Sequence, residues 1–165
     1  MNNICCNNER YFLNKERKDL SYVLHCIDYR FSDFNQNYFF KKNMKPLSFD
    51  SSGIAGSSLC LGLEEKDFNK MPDQHVLILK RWRQTVFDHF DISIQLHDIK
   101  SIYLLDHENC GAYNVFLGNI FSNLSEKEQH LHLMENAKKV LQNKYPQLKI
   151  VKLYFTLKKN ITVCA

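Results

Sequence analysis

Three apolar runs constrain this chain more than anything else in it: "SYVLHCI" (21–27), "KSIYLLD" (100–106) and "LKIVKLYF" (148–155). Each is strand length. The middle one is almost uninterrupted, as in a strand buried on both faces of a parallel sheet. Between Gln74 and Leu96, Leu79, Trp82, Val86 and Phe90 recur at three- and four-residue steps, which predicts an amphipathic helix, broken near Asp91. "SEKE" from Ser125 reads as a capping box closed by Glu128. The helix it opens places Leu133, Ala137, Val140 and Leu141 on one face and stops before Pro146. A short strand is predicted at "PLSFD" (46–50), then a small-residue loop over 51–58 and an irregular stretch over 60–73. Strands alternating with helices predict an α/β fold: a mostly parallel sheet of about four strands flanked by helices.

The chain has 165 residues, enough for one domain spanning 1–165, with 1–20 as an N-terminal helical arm. Nothing approaches the 18 consecutive apolar residues of a membrane span, and "MNNICCNNER" has no apolar secretory core. A cytoplasmic protein without a membrane partner is expected. A net charge of +4 is too mild to argue by itself for nucleic acid, and no nucleic-acid partner is expected. The densest basic patch, "LKRWR" (79–83), reads as a helix with Trp82 inward and Lys80, Arg81 and Arg83 in water. The six cysteines (5, 6, 26, 60, 110, 164) form no C-x-x-C, so disulfides are not expected and a working cysteine is a metal ligand or a nucleophile.

In parallel sheets, ligands bind beyond the carboxyl ends of the strands. Two predicted strand ends carry chemistry. After β-type alternation, Cys26, Asp28 and Arg30 point the same way, in one row. The other end reads "HENCGAY", with His107 and Cys110 three apart. Two thiolates and an imidazole suit zinc, whose catalytic sites keep three protein ligands and leave a position for water. A Cys–His nucleophile pair stays open, although the second cysteine adds nothing to it. A phosphatase loop does not fit, because only three residues separate Cys26 from Arg30 and one of them is acidic. "GIAG" (53–56) has no Lys-Ser/Thr after it and is no phosphate cradle. "HLH" (130–132) cannot place both rings on one helix face and is expected at the surface. Cys5, Cys6, Cys60 and Cys164 are expected to be packing or surface residues. His25 falls on the face opposite Cys26.

"CIDYR" followed by "HENCGA" resembles the β-class carbonic anhydrases, whose signature is C-x-D-x-R and H-x-x-C-G. The resemblance runs in order from Tyr22 to about Tyr113. It implies the β-carbonic anhydrase fold and zinc (Zn2+) held by Cys26, His107 and Cys110. Asp28 and Arg30 would be the dyad beside the bound water. The implied reaction is reversible hydration of carbon dioxide to bicarbonate and a proton. It also implies a homodimer or a higher even oligomer, with the arm residues Tyr11, Phe12 and Leu13 against the partner. Gly111 and Phe31 are expected at the substrate pocket, where Phe31 would narrow it. An R-N-A-G-like segment of the family is here "DSSG" (50–53) or "GIAG", without the arginine, so a regulatory bicarbonate pocket is not expected. The stretch between the two motifs is also longer than typical, chiefly around 60–75. The alternatives are a zinc-holding binding or regulatory protein with weak catalysis, or a hydrolase of another small linear substrate such as carbon disulfide.

Overall fold

β-branched and aromatic residues at Tyr22, Val23, Ile102, Tyr103, Ile150 and Val151 favour pleated, half-buried backbone, and strands form around them. A computed structural model of the protein describes residues 20–31, 49–158 and 161–164. The expected N-terminal helix and residues 46–48 lie outside them. In chain order the elements are β1 (Ser21–His25), β2 (Phe49–Gly53), α1 (Leu59–Gly62), α2 (Glu65–Phe68), α3 (Asp73–His97), β3 (Ser101–His107), α4 (Gly111–Leu117), α5 (Glu126–Lys144), β4 (Lys149–Phe155) and β5 (Ile161–Cys164).

The sheet runs β2-β1-β3-β4-β5, with every neighbouring pair parallel except β4 and β5. Among the described residues it has five strands, one more than the four or so expected, the addition being β5 after the run at 148–155. β5 is only four residues long and follows two lysines and an asparagine, so its pairing to β4 decides it rather than its own composition. Ser21 pairs with Ser101 and His25 with Leu105, which leaves Asp106 and His107 two residues beyond the end of β1. The chain leaves β1 toward β2 on one side and returns to β3 on the other. The crevice between the ends of β1 and β3 is thus the topological switch point, where doubly wound sheets bind ligands.

Alternation splits the core by face. Tyr22, Leu24, Ile102 and Leu104 pack with α1, α3 and α5 in the large cluster, while Val23, Phe31, Leu105, Leu153 and Phe155 form a small one on the other face. α3 is continuous through Asp91. That residue sits on the outer side, where its carboxylate accepts hydrogen bonds from Lys144 (2.8 Å) and Tyr145 (2.6 Å), a tie to the end of α5 that offsets its poor helix propensity. Arg83 does not face water. It donates to the Cys60 carbonyl (2.7 Å) and to that of Leu63, closing the end of α1. The stretch 60–73 is not wholly irregular: half of it lies in the two short helices α1 and α2.

The α5 capping box is present, Ser125 and Glu128 each accepting from the other's backbone. Its buried stripe is His130, Leu133, Met134, Ala137 and Leu141, with Val140 exposed. His130 is thus not a surface residue.

Candidate metal centre

β1 ends at His25, one residue before the first site cysteine. Cys26, Asp28 and Arg30 therefore do not form a strand row. Tyr29–Phe31 is a 3-10 turn that folds Arg30 back over Asp28. The guanidinium donates from Nε (2.9 Å) and Nη2 (2.6 Å) to separate oxygens of the Asp28 carboxylate, and the Arg30 backbone N–H adds a third bond at 3.0 Å. Such a fork fixes the carboxylate in orientation as well as charge. Arg30 holds the Asp28 carboxyl down at about 2. Phe31, expected at the pocket, is buried in the small core and lies against the His107 ring, centroids 4.4 Å apart.

From the other strand end, His107 closes β3 and Cys110 is the cap of α4. The ligand atoms of Cys26, His107 and Cys110 all lie within 4.8 Å of one another, and all three residues are buried. Their two sulfurs are 3.9 Å apart. Two thiolates bound to one zinc at about 2.3 Å and a tetrahedral angle stand about 3.8 Å apart. His107 Nδ1 is 3.0 Å from the Glu108 carbonyl, which can only accept, so Nδ1 carries the proton and Nε2 presents a lone pair. That Nε2 is buried with no hydrogen-bond partner among the described residues. A buried orphan nitrogen aimed at two sulfurs fits a metal ligand set.

A proton shared with Cys110 pulls the Cys26 thiol well below its ordinary pKa, with the Gly56 N–H (3.4 Å from the sulfur) helping. Gly56 has φ +78°, a left-handed conformation that brings this backbone N–H onto the sulfur, and a Cβ there would meet Leu59 and Ala112. Cys60 is different in kind: burial pushes its thiol up to about 12, as for an inert core cysteine. Asp28 Oδ2 stands 3.9 Å from His107 Nε2, beside the ligand set but outside it. Above them opens a cavity of about 310 Å³, with Ile27, Ala55, Ala112, Val115 and Phe116 as apolar walls and Gly111 at its edge.

A family model described as "Putative carbonic anhydrase" matches residues 16–165. The chain belongs to that family. Two curated proteins similar to this chain are uncharacterized proteins of Rickettsia conorii and Rickettsia bellii, each 32% identical over 134 residues. The alignments cover 78% of this chain, 62% of the R. conorii protein and 71% of the R. bellii protein. Among solved structures, a carbonic anhydrase from Streptococcus mutans superposes with a TM-score of 0.54, covering 88% of this chain and 81% of that one. The β-carbonic anhydrase CafA of Aspergillus fumigatus gives 0.53, covering 88% and 74%. Both are 12% identical to this chain, and they show the fold: this is the β-carbonic anhydrase fold.

Behind the turn at 107–110, the candidate metal turn of this carbonic anhydrase family member, lies a polar cluster that sequence reading does not single out. Asp106, fully buried, accepts from Ser58 N (3.1 Å), Ser58 Oγ (2.6 Å), Tyr113 OH (2.7 Å) and His130 Nδ1 (2.8 Å). Tyr113 stacks on His130 with centroids 3.5 Å apart. The signal for His130 was available: 130, 133, 134, 137 and 141 share one helical face. For Asp106 and Ser58, only the fold brings the partners together.

Proposed function

We propose that the protein is a zinc-dependent carbonic anhydrase, a lyase that reversibly hydrates carbon dioxide to bicarbonate and a proton. The observation that carries this reading is the buried Cys26, His107 and Cys110 triad with the Asp28–Arg30 fork at its side, in a chain of this family. Zinc held by the three residues would lower the pKa of water to about 7 and so supply a nucleophile at neutral pH. Asp28 accepts the O–H of the attacking water and aims its lone pair into the cavity. Arg30 keeps Asp28 ionised and stops it turning toward the thiolates. The apolar walls at Ile27, Ala55 and Val115 suit a small, linear, uncharged substrate better than its anionic product, which favours release. A homodimer or higher even oligomer is part of the proposal. Ile27 (65% exposed), Tyr29 (84%) and Val115 (62%) leave apolar surface around the cavity mouth that a second copy would cover.

Stopped-flow hydration of carbon dioxide by zinc-replete protein tests the reading. A rate well above that of the zinc-free protein is expected. A protein that holds zinc firmly and gives no such excess would be the binding or regulatory protein instead.

A further inference from the structure

The turn that carries Cys110 is gripped at a single peptide unit. Asn109 has φ +58°, a left-handed conformation a non-glycine residue holds only when its surroundings fix it. The carbonyl of the Asn109–Cys110 peptide accepts from Arg30 Nη2 at 2.8 Å. Its N–H, on Cys110, donates to Glu126 Oε1 at 3.0 Å. One end of this peptide plane is thus tied to the dyad arginine and the other to a carboxylate in the first turn of α5. Rotating the plane, and with it the Cys110 side chain, breaks both bonds.

Glu126 also stands beside the buried cluster. His130 Nε2, on the same helix one turn later, is fully buried, has no hydrogen-bond partner among the described residues and stands 3.9 Å from Glu126 Oε1. Its other nitrogen bonds Asp106, the residue before His107. Asp106, His130 and Glu126 thus lie in order behind His107 and Cys110, joined by hydrogen bonds from His130 to Asp106 and from the Cys110 N–H to Glu126, and by proximity alone between His130 and Glu126. We infer that Glu126 is the positioning residue of this centre: by accepting the Cys110 N–H it sets the plane that aims the Cys110 sulfur, opposite the pull of Arg30. The inference rests on the zinc reading of the triad for its purpose, but not for its geometry. α5 does not need Glu126 as a cap, because Ser125 and Glu128 supply the capping box.

The test compares the full chain with Glu126→Ala, which removes the acceptor, and Glu126→Gln, which keeps an oxygen and removes the charge. Two readouts are taken. In zinc-free protein, amide exchange of Cys110 followed by NMR should be at least about tenfold faster in Glu126→Ala and near the parent rate in Glu126→Gln. In metal titrations with zinc and with cobalt, Glu126→Ala should bind about tenfold more weakly and change the thiolate–cobalt absorption bands, with both restored in Glu126→Gln. Parent-like exchange and affinity in Glu126→Ala would overturn the inference, as would equal losses in both variants. A parent chain that takes up no metal would defeat the zinc reading instead, and the exchange rates would still decide the role of Glu126.

Discussion

Two aspartates stand on either side of the metal turn, Asp28 at the end of β1 and Asp106 near the end of β3. Asp106 is fully buried and accepts four hydrogen bonds; burial would raise its pKa, yet the bonds from His130, Ser58 and Tyr113 leave it lowered. Among the described residues, Asp28 is bound by Arg30 alone, through its guanidinium and its backbone N–H, and borders the cavity. A carboxylate sealed among three side chains in the interior can only hold structure. One clamped from a single side and open to a cavity can be reached by an oxygen from outside. The two aspartates thus differ by what can reach their oxygens, not by how many hydrogen bonds they accept.

The largest effect should come from the triad that both aspartates flank. Cys26→Ser or Cys110→Ser should cost most of the zinc, expected at about one ion per chain, and with it the hydration activity. His107→Ala should do the same. Cys60→Ser and Cys164→Ser should leave metal content unchanged, since Cys60 lies in the core and Cys164 at the far strand. Atomic absorption on purified variants reads this directly. Full occupancy in Cys110→Ser would remove the centre that the comparison turns on.

Stability should then separate the two aspartates. Asp106→Ala strands Ser58, Tyr113 and His130 in the interior without their acceptor, and breaking a buried charged network of this kind costs about 3–5 kcal/mol. Urea unfolding of zinc-free protein should show it, while Asp28→Asn shifts the midpoint little. Equal shifts for the two variants would erase the distinction between scaffold and chemistry.

Rate should separate them in the other direction. Asp28→Asn should keep its zinc and lose about a hundredfold or more in hydration rate, on the order of 3 kcal/mol of barrier. Arg30→Ala should behave alike, because the freed carboxylate can then turn toward the metal. Since Arg30 keeps Asp28 ionised down to about pH 2, the dyad itself does not titrate in the working range. Activity is therefore expected to rise through neutral pH toward the alkaline side as the nucleophile forms, with no limb from Asp28. Stopped-flow rates from pH 6 to 9 check this. Turnover within a few-fold of the parent in both variants would leave the dyad without a catalytic role.

What could be read from the chain alone follows from how local each signal is. Strands β1, β3 and β4 and helices α3 and α5 declare themselves by period and capping, and the two cysteines and the histidine by motif spacing. The turn at 29–31 does not, because strand alternation ends at His25 and nothing in the local pattern marks that end or the 3-10 turn that begins at Tyr29. Alternation continued past that end places Asp28 and Arg30 in a row, whereas their pairing needs the chain to fold back. Phe31 went to the wrong place for the same reason: the turn rotates it behind His107. Arg83 reaches Cys60, and Asp106 reaches Ser58 and His130, across more than twenty positions through the packing of α1, α3 and α5, and no local pattern encodes these contacts. Glu126 is legible only once α5 is docked against the turn.

The smallest expected effect concerns Gly111, the first residue of α4 and an edge of the cavity. Its neighbour in role, Gly56, cannot take a side chain without strain, since its φ is positive and a Cβ would touch Leu59. Gly111 has neither restriction: a Cβ there meets nothing within 4 Å. Gly111→Ala should therefore keep the fold, gaining at most about 1 kcal/mol from the lower entropy of the unfolded chain. The added methyl does, however, stand in the space above Cys110 that also borders Asp28 and Asn109. If substrate enters there, kcat/KM for carbon dioxide should fall by less than about tenfold, the low end of what one carbon decides in a pocket, with zinc content unchanged. An unchanged rate would move the passage elsewhere, toward Val115 and Phe116. Loss of zinc would mean that Gly111 serves the geometry of the turn, as Gly56 serves that of the loop facing it.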